Sequence, residues 1–383
     1  MRTLSLYVAW SITHVCLAQE LRFQHVTTDQ GLSDNAITCL LQDRDGFLWI
    51  GTERGLNRFD GQRVDPVIGS EHAIAGITED SRGSLWVATK DHGLLQVDRE
   101  RRKAKPYRHV EGDPKSLAND QLTAVFDLND TTLLLGSREH TLIFMDKRTQ
   151  AFSYWADSTS LEPSRALPRP TGLAGWCHTI TALDDHTLWI GTLNKHQSFL
   201  VDRANLKITT HLVIRRPGSE TQTCAVRLGD TLYTGGWQQG IDAVPFTMGD
   251  LNGRPLITKP RVIPTADEVL SLVARPDGTL LAGTRGSGLL VYDPRTGRTT
   301  TVHHRRSETS SIPSDRVRCM LMDRSGTLWV GTVNGLAYHA PQVWRIRTTP
   351  LLSGGEEEEI ELMFHRLEAE GPQGVRVFTS DGF

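Results

Sequence analysis

The chain has 383 residues, with 42 Lys and Arg against 45 Asp and Glu and a formal net charge of −3. A balance so close to neutral supplies no basic field for nucleic acid. With 34 glycines against 5 cysteines, the composition points to turn-rich packing and away from a small disulfide-stapled fold.

Met1-Arg2 is followed by an apolar stretch from Leu4 to Ala18 and then by Gln19-Glu20. The pattern predicts a secretory signal peptide over residues 1–18, cut near Ala18. The run is shorter than the ~20 residues that a membrane span needs, and no other stretch approaches that length. The expected mature chain is soluble and exported, periplasmic or secreted.

Ala36 to Gln42 reads as a strand, Asp43-Arg44-Asp45-Gly46 as a turn, and Leu48-Trp49-Ile50-Gly51-Thr52 as a second strand rich in β-branched and aromatic residues. Glu53-Arg54-Gly55 turns the chain again, and a third strand runs from Leu56 to Phe59 before Asp60-Gly61. The second strand and its turn return six times, beginning at Leu85, Leu133, Leu188, Leu232, Leu280 and Leu328. The Trp position is held in turn by Trp49, Trp86, Leu134, Trp189, Tyr233, Leu281 and Trp329, at spacings of 37, 48, 55, 44, 48 and 48. Units of this length with four short strands each are propeller blades. The expected fold is therefore all-β, a seven-bladed β-propeller with four-stranded antiparallel blades over residues 19–340. Each large residue at the Trp position should pack against the next blade.

The first blade is preceded by Leu21 to Thr27, which sits in the register as Thr299 to His304 and Lys105 to Val110 do before later units. Those are outer strands of a preceding blade, so Leu21 to Thr27 should be the outer strand of the last blade and close the ring. Cys39 and Cys319 occupy the same place on the inner strand, where other units carry Gly76, Thr123 or Ser271. Together with Cys177 and Cys224 they read as buried packing thiols, with pairing left open. Asp157 to Gly175, with Pro163, Pro168 and Pro170, has no periodicity and reads as a long surface excursion. Residues 341–383 hold an acidic linker, Glu356 to Glu359, and then Ile360 to Leu367 and Val375 to Phe383, laid out like the first hairpin of a further unit cut off within a second propeller.

The turns between inner and middle strands, such as Asp43 to Gly46 and Asp323 to Gly326, lie on one face of the disc. One or two carboxylates per turn fall short of the six to eight oxygens that calcium takes. The loops after each Gly-Thr pair lie on the other face with the entries to the inner strands. That face gathers the candidate ligand-binding residues Trp176, His178, His196, Trp237, Gln238, Gln239, Arg138 and Arg285. Trp176 and Trp237 stand outside the core Trp position, in loops of adjacent blades. Aromatic faces beside amide and guanidinium donors suit an oligosaccharide or another ring-bearing small ligand; the competing reading is that they cover the blade tops. His92, His140, His178 and His196 fall on consecutive blades without metal-ligand spacing, so no metal is expected. No cofactor is expected, and no nucleophile elbow or paired-acid signature indicates an enzyme.

The repeat resembles the two-component regulator propeller repeat, most specifically at GLSDNAITCLLQDRDGFLWIGTERGLNRFDG and SIPSDRVRCMLMDRSGTLWVGTVNGLAYH. The resemblance implies the extracytoplasmic sensor half of a two-component, often hybrid, histidine kinase, a group linked to glycan sensing. No kinase segment follows within these residues. The third to sixth units depart from the motif, with Leu134 and Leu281 in place of Trp and Ala243-Val244-Pro245 where a strand usually ends in Asp. The expected function is a ligand-sensing input module, with a stand-alone protein-binding scaffold as the alternative and a propeller lyase or hydrolase as a third.

Overall fold

The computed structural model describes residues 21–98, 103–113, 115–138, 142–156, 166–168, 176–193, 197–204, 208–214, 221–246, 256–258, 260–340, 364–369 and 375–379. The expected signal peptide at 1–18 and the acidic run at 356–359 lie outside them. The chain divides into two units, Met1–Pro341 and Gln342–Phe383. The first is an all-β propeller of four-stranded antiparallel blades, and its one helix among the described residues is the 3-10 turn Thr28–Gln30. In the second, Phe364–Ala369 pairs antiparallel with Val375–Thr379.

The first blade shows the plan. Ile37–Gln42 is innermost, followed outward by Leu48–Thr52, Gly55–Phe59 and Val64–Ile68. The turns Asp43 to Phe47 and Glu53-Arg54 are short enough to force each strand against its predecessor. The second blade repeats this with Ile74–Glu79, Leu85–Thr89, Leu94–Asp98 and Lys103–Tyr107. The last blade has Val317–Met322, Leu328–Thr332 and Gly335–His339, and its fourth strand is Gln24–Val26 from the start of the described chain. Gln24 faces Tyr338, His25 faces Ala337 and Val26 faces Leu336, so the closure read from the register is present. It is reinforced outside the ladder, where Phe23 donates its backbone N–H to Ser310 and buries its ring.

Two departures from the expected plan stand out. The third and fourth sheets each carry a fifth strand, Ala166–Pro168 and Leu256–Thr258, paired in parallel with the outer strand. Part of the excursion at 157–175 thus belongs to a sheet. The second departure concerns the count: five sheets stand alone as blades where seven are expected. The fifth and sixth repeats share one seven-stranded sheet, because Arg261–Ala274 runs 14 residues without a break. Its first part pairs with Gln238–Pro245 and its second with Leu280–Thr284.

The core lies in the seams between consecutive repeats, as two-sided sheets require. Trp49 is fully buried and clusters with Ile74, Leu85 and Val87 of the second blade. Trp86 packs with Leu122, Leu133 and Leu135 of the third, and Trp329 with Leu48 and Ile50 of the first. Leu134, Trp189, Tyr233 and Leu281 fill the same place in their own seams. Full burial of one such side chain stabilises by about 1.5–3 kcal/mol or more.

An Asp six residues before the Trp locks three of these rings. Asp43, Asp80 and Asp323 each accept the indole N–H on Oδ2, at 2.8, 2.9 and 2.8 Å, while Oδ1 takes two backbone N–H groups of its own turn. One carboxylate thus shapes the hairpin turn and fixes the core ring. Thr closes the other end: the hydroxyls of Thr52, Thr89, Thr284 and Thr332 donate to the carbonyl of Gly55, Gly93, Gly288 and Gly335 across the next turn.

The Gly before that Thr faces a small inner-strand residue. Cys39 faces Gly51, Cys224 faces Gly235, Ser271 faces Gly283 and Cys319 faces Gly331. In the second blade the order is reversed, with Gly76 against Ala88. In the third blade the facing residue is Ala124, one place beyond the expected Thr123. All four described cysteines are free thiols. Burial pushes Cys39 and Cys224 up to about 12 and raises Cys177 and Cys319 as well, which favours the protonated thiol in each.

Candidate functional site

Every repeat carries a β-bulge at the same place, two residues into the inner strand. The register slips between Ile37 and Cys39, Ile74 and Gly76, Leu122 and Ala124, Cys177 and Thr179, Gln222 and Cys224, Val269 and Ser271, and Val317 and Cys319. A bulge leaves one residue out of the ladder and re-aims its side chain. Most of these residues are small or apolar, such as Thr38, Ala75 and Leu270. Two are not: His178 in the fourth repeat and Arg318 in the last.

The bulges sit at the end of the sheets that carries the Gly-Thr turns. There the turn residue of one hairpin bonds to the entry of its own inner strand, with Glu53 N–H on Ala36, Lys90 on Ala73, Arg138 on Gln121 and Arg285 on Glu268. These bonds hold the loops of this face close to the strands, so the side chains at 53, 90, 138 and 285 start from fixed positions.

His178 and Trp237 meet on this face, their rings edge-on with centroids 6.4 Å apart. Trp237 occupies the tip between Thr231–Gly236 and Gln238–Pro245, directly after Gly236. A side chain at Gly236 would collide with the carbonyl of Thr221, so the tip is held tightly against the inner-strand entry. Trp237 is 50% exposed and Trp176 is 43% exposed, the two aromatic members of the large exposed hydrophobics among the described residues. Burial pushes the His178 imidazole down to about 4, with the positive charge of Arg138 adding to the effect, and its Nδ1 is buried without a hydrogen-bond partner. The ring is therefore neutral at physiological pH. Arg138 itself is exposed.

Arg285 is less available than its place in the sequence suggests. It donates Nη1 to Glu268 Oε2 at 2.5 Å in an ion pair. Gln238 and Gln239 lie in the strand that follows Trp237, where Gln239 faces Glu268 across the ladder. Their side chains are outside the described residues, as is the whole of His196, together with His140. Of the other histidines on this face, His92 packs against His72, with ring centroids 4.8 Å apart, and not toward His178. Among the described residues no group of three or more His, Cys, Asp and Glu side chains is placed to hold a metal ion.

A second cluster joins the first, second and last blades. Glu53 accepts Lys90 Nζ at 2.8 and 2.7 Å and Arg318 Nη1 at 2.8 Å. Burial pushes the Glu53 carboxyl up, but the hydrogen bonds and charges of Lys90 and Arg318 outweigh it and hold the group below its ordinary value. The rule that loops after each Gly-Thr pair share a face puts Glu53 here, but that rule neither pairs it with Lys90 nor signals the role of Arg318. The available signal is position: Arg318 directly precedes Cys319, the small residue that faces a Gly, and so falls on the bulge.

The most regular repeats are also those that comparison with known proteins picks out. The two component regulator propeller model matches residues 31–54 and 311–334, each running from an inner-strand entry to the turn after Gly-Thr. Among solved structures, the extracellular domain of BT3049 from B. thetaiotaomicron, named as a hybrid two component system, is similar with a TM-score of 0.65. The identity is 20%, over 83% of this chain and 42% of that one. Two structures of the extracellular domain of BT4673 from the same organism, named as a one component system and as a hybrid two component system, give TM-scores of 0.64 and 0.61. Both are 18% identical over 83% of this chain and 40% of theirs. No curated protein matches. The chain spans about two fifths of the length of those domains. No described helix is long and apolar enough to cross a membrane. Two stretches of this chain match the two component regulator propeller model, on a propeller whose fold it shares with extracellular domains named as one- and two-component systems.

Proposed function

We propose that the protein is an extracytoplasmic binding propeller, the input module of a one- or two-component sensor, and that it takes its ligand on the face that carries Trp176 and Trp237. The observation that carries this reading is the exposure of these two tryptophans on one face, with the neutral imidazole of His178 edge-on to Trp237 and the charge of Arg138 acting on that imidazole. Indole faces left open to water lose contact energy that a ring-bearing ligand restores. The ligand class that fits is an oligosaccharide, stacked on the indoles and oriented by Arg138 and by Gln238, Gln239, His196 and Arg285. In the same reading residues 1–18 are a cleaved signal, residues 19–340 the propeller, and residues 341–383 a linker with the first hairpin of a further unit. The seven-stranded sheet then counts as two blades that share Arg261–Ala274, which gives the ring seven units. The inner-strand neighbours support that count, since each touches the next and Val317–Met322 touches Ile37–Gln42.

Titration of the mature chain with a panel of neutral and acidic oligosaccharides, read by tryptophan emission, tests the reading. At least one sugar should shift the emission saturably. A panel in which none does so overturns the assignment of ligand class.

A further inference from the structure

The opposite face holds a second candidate site, at the seam where the last blade meets the first. A cavity of about 300 Å³ opens there, within the range of small-ligand pockets. Its lining includes Phe59, Trp329 and Tyr338, with Asp60 and Thr327 beside them. Phe59 stands edge-on to Trp329 with centroids 5.7 Å apart, and Tyr338 lies against Trp329 at 4.9 Å. Gln62 and Arg63 donate their backbone N–H groups to Asp60 Oδ1 at 2.8 and 2.7 Å, which holds that carboxyl below its ordinary value and keeps it anionic.

The neighbouring hairpin of the same fold shows what belongs at this place. Trp49 faces Arg58 across its hairpin as Trp329 faces Tyr338. Phe47 donates its N–H to Asp43 Oδ1 as Thr327 does to Asp323 Oδ1. In the first blade the guanidinium of Arg58 lies 4.6 Å from the centre of the Phe47 ring and 3.9 Å from the Asp65 carboxylate. In the last blade the same two positions are Tyr338 and Thr327. The built-in cation is missing, the ring beneath it is reduced to a threonine, and both residues line the cavity.

We propose that this cavity binds an organic cation of the guanidinium or alkylammonium class, held over Tyr338 and Phe59 by cation–π attraction, with the buried Trp329 as the wall behind them, and charge-paired with Asp60. Aromatic walls supply the negative ring faces, and the anionic Asp60 at the rim selects charge over shape. The other carboxylate in the lining, Asp323, already has both oxygens engaged by Trp329 and its own turn. This site is separate from the tryptophan face and does not depend on it.

The test is a calorimetric titration of the full chain with N-acetyl-arginine amide and, in parallel, with the neutral isostere N-acetyl-citrulline amide. Saturable binding of the arginine probe, at least about tenfold tighter than citrulline, is expected from a pair of cation–π contacts and one carboxylate. Asp60→Asn, at an exposed position, should weaken the arginine probe to near the level of citrulline without changing the melting temperature. Thr327→Phe should fill the cavity and abolish binding. No saturable binding, equal affinity for the two probes, or unchanged affinity in Asp60→Asn overturns the proposal.

Discussion

Leu183 stands six residues before Trp189, at the place from which Asp43 reaches Trp49, and the buried indole N–H of Trp189 has no hydrogen-bond partner. The other repeats without the clasp have lost both halves of it. Leu128 precedes Leu134, Arg227 precedes Tyr233 and Arg275 precedes Leu281. Trp189 has kept the volume needed to fill its seam without the acceptor that the ring needs.

The two tryptophans should therefore respond differently to the same change. Trp49→Phe removes indole volume and a hydrogen bond to a carboxylate, whereas Trp189→Phe removes volume and relieves an unpaired buried donor. Denaturant unfolding should show Trp49→Phe to be about 1.5–3 kcal/mol more destabilising than Trp189→Phe, the usual range for a hydrogen bond to a charged group. Equal losses would mean that the clasp contributes nothing net.

Gly51 and Cys39 give a second prediction. A methyl group on Gly51 would meet Cys39 Sγ and the Ile74 side chain, so Gly51→Ala should cost about 1–3 kcal/mol by overpacking. The second blade holds Ala88 against Gly76, which is the same pair reversed. Adding Cys39→Gly should therefore recover part of the loss, a coupling that a double-mutant cycle measures. Additive losses would show that the pair does not share its volume.

Much of this was legible in the residues, and the exceptions have physical causes. Leu-Trp-Ile-Gly-Thr can be read as a strand because burial on both faces makes it apolar throughout, and Leu21 to Thr27 can be placed because its register matches Thr299 to His304. The alignment of Thr123 with Cys39 is one residue off because Leu128 replaces the Asp that marks the turn, leaving nothing to count from. The fused sheet escapes notice because Arg261–Ala274 contains no glycine to announce its change of partner, and Pro264 is compatible with a strand at the edge of a ladder. Trp176 and Trp237 are visible as aromatics outside the repeat. Their exposure and the neutral state of His178 depend on contacts between loops far apart in sequence, and the pairing of Arg285 with Glu268 depends on the register of a single hairpin.

Ring closure can be tested by truncation. Removing residues through Gln30 deletes the ladder of Gln24–Val26 and uncovers Leu336 and the places of Phe23 and Val26. Two buried apolar side chains at about 1.5–3 kcal/mol each set the loss on the order of 3–6 kcal/mol. A truncated chain that melts with the mature one would contradict the closure.

His178 supplies a pH signature. Its folded value of about 4 lies below the ordinary 6.5, so the folded state resists a proton that the unfolded chain accepts. The stability difference is absent above about 6.5 and grows as pH falls toward 4. His178→Gln should flatten the stability curve between those values. NMR titration should find the imidazole still neutral at pH 5; a midpoint near 6.5 would contradict its burial beneath Trp237.

The most direct test of the binding face is an equilibrium titration with whichever oligosaccharide binds the wild-type chain best, repeated on Trp176→Ala with Trp237→Ala and on Val262→Ala. Val262 is an exposed apolar residue of the shared strand and serves as the control. Two aromatic contacts at about 0.5–1.5 kcal/mol each predict a loss of roughly five- to 140-fold in the double variant. Val262→Ala should bind as the wild type does. Full affinity in the double variant would contradict the assignment of this face.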